Sequence, residues 1–118
     1  MLSVATLAEL AAHVGQDLGC SEWVTVDQAM IDRFADITGD RNWYHVDLER
    51  AARELPEGKT IAHGLLTLSL VPGLAGHIVQ VRHHGRAFNY GLNKVRYPEP
   101  VPAGSRLRMH LKVVSAER

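Results

Sequence analysis

The sequence has little cysteine and no excess of charge of either sign. A single cysteine, Cys20, among 118 residues leaves no partner for a disulfide within the chain and excludes a cysteine-based zinc site. Sparse cysteine is typical of a reducing compartment, so we expect a cytoplasmic protein. Thirteen basic residues balance thirteen acidic ones, so no basic excess indicates a nucleic acid or an anionic membrane as partner.

The sequence also lacks the features of secreted and membrane-spanning chains. No Lys or Arg precedes Arg33, and Glu9 interrupts the first apolar run, so we expect no signal peptide. The segment from Thr60 to Val81 carries no charge and is long enough to span a membrane. Its proline, glycines and polar residues, and the absence of aromatic anchors at its ends, instead predict a buried helix and no membrane partner.

The distribution of apolar residues predicts one α+β domain over residues 1–118. Helical spacing is expected over Thr6–Val14, between Asp27 and Gly39, over Leu48–Glu54 with Asp47 as cap, and from Leu65 to about Val79, where Pro72 and Gly73 are expected to bend the helix. Alternating segments predict strands over Glu22–Val26, Phe88–Tyr97 and Leu107–Val113. Helices come first and strands follow, which favours an antiparallel sheet with the long apolar helix packed on one face.

The segment from Asp40 to Asp47 is dense in side chains that can carry chemistry. Asp40 and His45 lie five residues apart in a predicted loop, where both can face one water molecule. One group of such a pair can take a proton from water while the other delivers or holds one. The alternative is an ordinary loop carboxylate and a satisfied histidine, and the spacing by itself favours this alternative.

A second candidate segment surrounds Gly64, where an extended stretch meets the predicted long helix. Backbone N–H groups at that end lie at the positive pole of the helix dipole and can stabilise a carbonyl oxygen that becomes negative. The alternative is that Gly64 only permits close packing. Thr67 and Ser69 can equally hydrogen-bond back to their own helix.

Taken together, the two segments resemble the MaoC-like dehydratases, the (R)-specific enoyl-CoA hydratases of the hot-dog fold. The match spans nearly the whole chain, and the order and spacing of the two motifs make it specific. The residues that carry it are Phe34–Asp40, Asn42, His45–Asp47, Ala51–Ala52, Ile61–Leu70 and Asn89–Pro98. The resemblance implies an antiparallel sheet wrapped around a long central helix.

The resemblance also implies roles for individual residues. Asp40 and His45 would be the catalytic pair that activates water. Substrate binding or support of the loop would fall to Asn42, His63, Gly64 and Ser69. The Gly64 N–H would donate a hydrogen bond to the thioester carbonyl. The substrate would be an acyl-CoA or acyl-carrier thioester, the assembly a homodimer, and neither a metal nor any other cofactor would be needed. The reaction would be hydration of a trans-2-enoyl thioester to the (R)-3-hydroxyacyl thioester, or the reverse.

Two departures from the family pattern leave alternatives open. Trp43 stands where many members carry proline, and relatives continue with further strands beyond the one that ends this chain, which makes it short at its C-terminus. The alternatives are an acyl-thioester hydrolase of the same fold and a non-catalytic accessory hot-dog subunit.

Overall fold

The structure is a computed structural model that describes residues 1–117 as two compact units. The first unit contains residues 1–22, 71–95 and the chain from 108 onward; the second contains 23–70 and 96–107. The strands are β1 (Leu2–Val4), β2 (Asp17–Cys20), β3 (Val24–Val26), β4 (Val79–Val81), β5 (Ser105–Leu107) and β6 (His110–Lys112). The helices are α1 (Gln28–Thr38), α2 (Trp43–Val46), α3 (Leu48–Glu54), α4 (Gly64–Ser69) and α5 (Val71–Ala75), with a 3₁₀ helix over Leu7–His13.

Two small sheets organise the first unit. Strand β1 pairs in parallel with β4, with Leu2 opposite Val79, and β2 pairs antiparallel with β6. Val4 and Ile78 are buried in this unit. The hydroxyl of buried Ser21 accepts a hydrogen bond from the backbone N–H of Met109 at 2.9 Å, which ties the end of β2 to the start of β6.

The second unit contains the principal apolar core. Strand β3 pairs antiparallel with β5, and α1 packs its apolar face toward them. Removing these side chains from water contributes about 1.5–3 kcal/mol for each large one, so this cluster is the main stabilising feature of the unit. Its buried members are Val26, Ile31, Ala62 and Leu66, flanked by Met30, Phe34, Leu70, Val101, Ala103 and Leu107.

The predicted helix ends in this unit are confirmed. The Asp27 carboxylate accepts a hydrogen bond from the Met30 N–H at 2.9 Å and caps α1. Gly39 ends α1 with φ of 80°, a left-handed conformation that glycine adopts without a steric penalty. Asp47 caps α3 through the N–H of Arg50, and α3 has the predicted bounds.

The predicted single helix from Leu65 to about Val79 is wrong. Helix α4 ends at Ser69, α5 covers only Val71–Ala75, and β4 begins at Val79. The physical reason is Pro72, which has no N–H to donate to the carbonyl four residues earlier and whose ring crowds that carbonyl. The predicted burial of this segment is wrong as well: between residues 65 and 79 only Leu66 and Ile78 are buried, and α5 has no buried residue.

The predicted strand over Phe88–Tyr97 is also wrong within the part of the chain that the structure describes. None of residues 88–97 belongs to a strand, and the side chains of Phe88, Tyr90 and Leu92 are exposed. Alternation records which side chains share a face, whereas a strand also needs a partner for its backbone groups.

The other differences from the sequence-based expectations are local. The first predicted helix is a 3₁₀ helix, and strand Leu107–Val113 divides into β5 and β6, which pair with different strands. Over residues 1–117, no helix combines the length and the apolar character that crossing a membrane requires. A mixed α+β architecture is confirmed, whereas a single domain stays a prediction.

We expect Ile31→Ala to destabilise the chain by about 2–5 kcal/mol, because Ile31 lies on the face of α1 that packs on the core and its side chain is fully buried. Ile37→Ala is the matched control on the same helix, since the side chain of Ile37 is 82% exposed. Denaturant unfolding monitored by circular dichroism measures both. Equal losses for the two variants would contradict this placement of the core.

Candidate functional site

Asp40 is positioned by the end of α1 and the start of α2. The left-handed Gly39 turns the chain, and the Asp40 N–H donates to the Thr38 hydroxyl at 3.3 Å. Asn42 then precedes α2 and donates its side-chain amide to Asp40 Oδ1 at 2.6 Å. The predicted loop from Asp40 to Val46 therefore contains a short helix, and this helix carries His45.

His45 is buried, and its ring is fixed by a backbone carbonyl. His45 Nδ1 lies 2.7 Å from the Ile61 oxygen, and because a carbonyl only accepts, Nδ1 carries the hydrogen. In the neutral ring, Nε2 then has the lone pair. Nε2 lies 3.9 Å from Asp40 Oδ2, and about 44% of the Asp40 side chain is exposed. The structure thus brings the predicted pair together with its polar atoms facing each other.

Gln28 is a site residue that the sequence reasoning missed. Its side-chain amide donates to the His45 carbonyl at 2.8 Å, and its oxygen accepts a hydrogen bond from the buried Thr60 hydroxyl. These partners lie 17 and 32 residues away along the chain, so no periodic pattern links them. Gln28 holds the backbone of α2 against α1 at the residue that carries the imidazole.

His63 lies beneath the pair, in contact with both of its members. It is 3% exposed, its Nε2 is 2.9 Å from the Asp40 backbone oxygen, and its ring stacks on His45 with centroids 3.8 Å apart at 23°. The ring of Phe34 packs on His63 with centroids 4.9 Å apart. His63 Nδ1 is buried without a hydrogen-bond partner.

A cavity of about 130 Å³ connects most of the predicted site residues. It is lined by Phe34, Thr38, Asp40, His45, His63, Gly64 and Leu65. Asn42 adjoins it through its hydrogen bond to Asp40. Ser69 is not among the lining residues, because its exposed hydroxyl donates to the Leu65 carbonyl at 2.6 Å within α4. The hydroxyl of Thr67 likewise donates to the Gly64 carbonyl at 2.7 Å, so the alternative that both hydroxyls bond within their own helix is confirmed.

The surroundings of Asp40 lower its pKa below the ordinary value. Desolvation acts most strongly and raises the pKa, but the backbone and side-chain hydrogen bonds from Asn42 and the charges of His45 and His63 together outweigh it. Asp40 is therefore ionised at neutral pH and can accept a proton.

The side chains of Asp40, His45 and His63 lie close together, but their geometry does not suit a metal ion. One potential donor atom from each of Asp40, His45 and His63 lies within 4.8 Å of the others. Imidazole lone pairs lie in their ring planes, and two planes stacked at 3.8 Å and inclined by only 23° do not converge on one ion at bonding distance. One nitrogen of each ring also faces a backbone carbonyl. The arrangement fits proton transfer better than metal binding.

Gly64 begins α4 in close contact with an aromatic ring. A Cβ atom at this position would lie 3.0 Å from ring carbons of Tyr97, a distance that real Cβ atoms rarely show. Tyr97, Gly64 and His45 also line a hollow of about 480 Å³ in the same unit. Gly64 therefore lines both the small cavity beside Asp40 and this larger one.

We expect Gly64→Ala to destabilise the chain by about 1–3 kcal/mol, because the added methyl group must displace Tyr97. Gly73→Ala is the matched control: Gly73 lies in α5, a Cβ atom added there would have nothing within 4 Å, and alanine stabilises a helix by about 0.4–1 kcal/mol relative to glycine. Thermal unfolding measures both. Opposite signs are expected, and two stabilising substitutions would contradict the close contact.

We expect Asn42→Ala to raise the pKa of the Asp40 carboxyl, because it removes the shorter, side-chain one of the two hydrogen bonds that Asn42 donates to the ionised form. A carboxyl whose pKa is lowered by folding stabilises the native state above its unfolded pKa, and this contribution is lost as the pH falls through the folded pKa. In the variant, this contribution is smaller, and its loss is complete at a higher pH. Carbon-13 NMR of the Asp40 carboxyl measures the shift, and an unchanged titration midpoint would refute the role of Asn42.

The chain is similar in sequence to a known protein family and to individual proteins. The model of the MaoC like domain matches residues 9–118. The chain is 50% identical over 117 residues to 3-hydroxyacyl-thioester dehydratase Z of Mycobacterium tuberculosis, covering 99% of this chain and 77% of that protein. It is also 50% identical over 104 residues to nodulation protein N of Rhizobium leguminosarum bv. viciae, covering 87% of this chain and 65% of that protein.

A solved structure supports the same grouping. The unliganded R-hydratase from Pseudomonas aeruginosa superposes with a TM-score of 0.68 at 26% identity, covering 92% of this chain and 64% of that one. This chain therefore spans less than two thirds of the length of that hydratase. The predicted hot-dog fold is confirmed by this neighbour. With a family model matching most of its length and a relative at 50% identity, the chain belongs to the MaoC-like dehydratase family.

Proposed function

We propose that the chain hydrates trans-2-enoyl thioesters to (R)-3-hydroxyacyl thioesters, or catalyses the reverse dehydration. The observation that carries this proposal is the arrangement of Asp40 and His45 around the small cavity. Two groups with free acceptor atoms face each other there across 3.9 Å. The names of the relatives, a 3-hydroxyacyl-thioester dehydratase and an R-hydratase, support the same reaction class.

The gap between Asp40 and His45 suits a water molecule better than a direct hydrogen bond. A separation of 3.9 Å is too long for one, but a water molecule beside both atoms can donate one hydrogen to Asp40 Oδ2 and the other to His45 Nε2. Its oxygen lone pair is then oriented by both acceptors. The ionised Asp40 and the lone pair fixed on His45 Nε2 supply the two acceptors that this orientation needs.

The chemistry balances without a further reactant. The water oxygen bonds to the β carbon, the pair accepts the proton that leaves the water, and the π electrons move to the thioester as an enolate. The protonated pair then returns this proton to the α carbon of the enolate, so the net change is addition of one water molecule and the pair regains its starting state. A donor at the thioester oxygen stabilises the enolate, and we assign this role to the Gly64 N–H at the cavity wall.

The substrate proposed is an acyl-CoA or acyl-carrier thioester, with its acyl chain in the hollow beside Tyr97. The predicted roles of Asn42 in holding the loop and of Ser69 beside the substrate stay predictions. Asn42 is supported by its two hydrogen bonds to Asp40, whereas the Ser69 hydroxyl is engaged within α4. A direct contact between His63 and substrate also stays a prediction. We further propose a homodimer acting in the cytoplasm.

We expect Asp40→Asn and His45→Gln each to lower kcat for crotonyl-CoA hydration by at least about 100-fold, because each replaces a group that can take up a proton with an amide that cannot. Glu49→Gln and His77→Gln are matched controls, since they make the same chemical changes at exposed positions outside the cavity. Loss of the enoyl absorbance measures hydration. Near-wild-type turnover in either site variant would refute the proposed catalytic pair.

The same assay separates the alternative activities. Release of free thiol from crotonyl-CoA without loss of the double bond would identify a thioester hydrolase instead. If the protein is folded by circular dichroism and catalyses neither reaction, the result would favour a non-catalytic accessory subunit. Sedimentation of the same preparation tests the homodimer.

A further inference from the structure

One buried ring contacts both members of the catalytic pair. His63 reaches Asp40 through a hydrogen bond of 2.9 Å to its backbone oxygen and reaches His45 through the face of its ring at 3.8 Å. Phe34 closes the opposite side. His63 therefore lies where its removal would loosen both the carboxylate and the imidazole, although only 3% of its surface is exposed.

The hydrogen-bond partners determine the tautomer of His63. The Asp40 carbonyl can only accept, so His63 Nε2 carries the hydrogen, and in the neutral ring Nδ1 has the lone pair. That lone pair is buried and unpartnered, which ordinarily costs about 1–3 kcal/mol. A phenylalanine would fill the same space without this cost. The histidine is thus less favourable for packing than an apolar ring, while supplying one donor that such a ring lacks.

We propose that His63 is a positioning residue for the Asp40/His45 pair. Its Nε2–H fixes the Asp40 backbone, and its ring plane fixes the orientation of the His45 imidazole. This inference rests on the proposed hydratase function, in which a water molecule must be held by both acceptors at once. A displacement of about 1 Å at a reacting group can cost about 100-fold in rate, so a residue that only orients the pair can control kcat.

Three substitutions separate the two contacts. His63→Phe keeps an aromatic ring on His45 and removes the donor to Asp40; His63→Gln keeps an amide donor near the position of Nε2 and removes the ring. Each is expected to lower kcat for crotonyl-CoA about tenfold with KM changed less than twofold. His63→Leu removes both contacts and is expected to lower kcat about 100-fold. Because His63→Phe removes both the unpaired nitrogen and the hydrogen bond to Asp40, its thermal stability should stay close to that of the wild type.

A second set of variants distinguishes positioning from a general loss of structure. Ser21→Ala removes a buried hydroxyl that bridges Met109 and Glu22, and it should lower the melting temperature without changing kcat. In the His45→Gln background, His63→Phe should lower the residual activity by about threefold or less, because the pair is already broken. An unchanged kcat in His63→Leu would overturn the proposal. A raised KM at wild-type kcat would instead make His63 a substrate-binding residue.

A readout independent of activity tests the geometry. Long-range ¹⁵N–¹H correlation spectra of the full chain should show His63 with hydrogen on Nε2 and none on Nδ1, and His63→Leu should shift the His45 ring protons through loss of the stacked ring. The opposite tautomer, or unmoved His45 resonances, would overturn the proposal. If the wild-type chain lacks hydration activity while these spectra appear as expected, the proposed function fails and the positioning contacts stand.

Discussion

The hydrogen bond from the His45 ring to the Ile61 carbonyl is the contact on which the rest of the site depends. It buries one imidazole nitrogen against the backbone and turns the other toward Asp40. The Ile61 N–H in turn donates to the Tyr44 carbonyl at 2.9 Å, so the helix that carries His45 and the segment that supports it bind each other twice. Because both contacts involve backbone groups of Ile61, backbone geometry sets the orientation of the His45 ring.

The segment from Thr60 to Ala62 connects the His45 site to the rest of its unit through backbone hydrogen bonds. On one side it contacts α2 and Gln28; on the other it bonds to the chain around Pro102, through the N–H of Ala62 to Val101 and the N–H of Ala103 to Thr60, both at 2.8 Å. Ala62 is also buried in the apolar core. The three residues therefore join the hydrophobic core of the unit to its candidate site.

Sequence reasoning succeeded where the controlling contacts are short in range. Asp27, Gly39 and Asp47 were predicted as helix ends because caps act within three or four residues of the chain. The pairing of Asp40 with His45 required a resemblance as well, since a five-residue spacing alone did not distinguish a site from an ordinary loop. The family and the hot-dog fold were predicted by that resemblance and then confirmed. The long helix and the strand over Phe88–Tyr97 were wrong, because an apolar pattern determines neither backbone pairing nor burial, and most of these side chains are exposed or half-buried.

The sequence by itself determined the local helix ends, the candidate Asp40/His45 pair and the family. Only the tertiary structure decided how that pair is supported. Gln28 meets the backbone of His45, and His63 lies beneath both Asp40 and His45, through contacts that join residues 16 to 32 positions apart. The physical reason is that such contacts arise from packing separate elements together, and neither their partners nor their directions follow from the spacing of residues along one element. The question posed by the motif, whether a loop carboxylate and a buried histidine face each other, was answered by that packing.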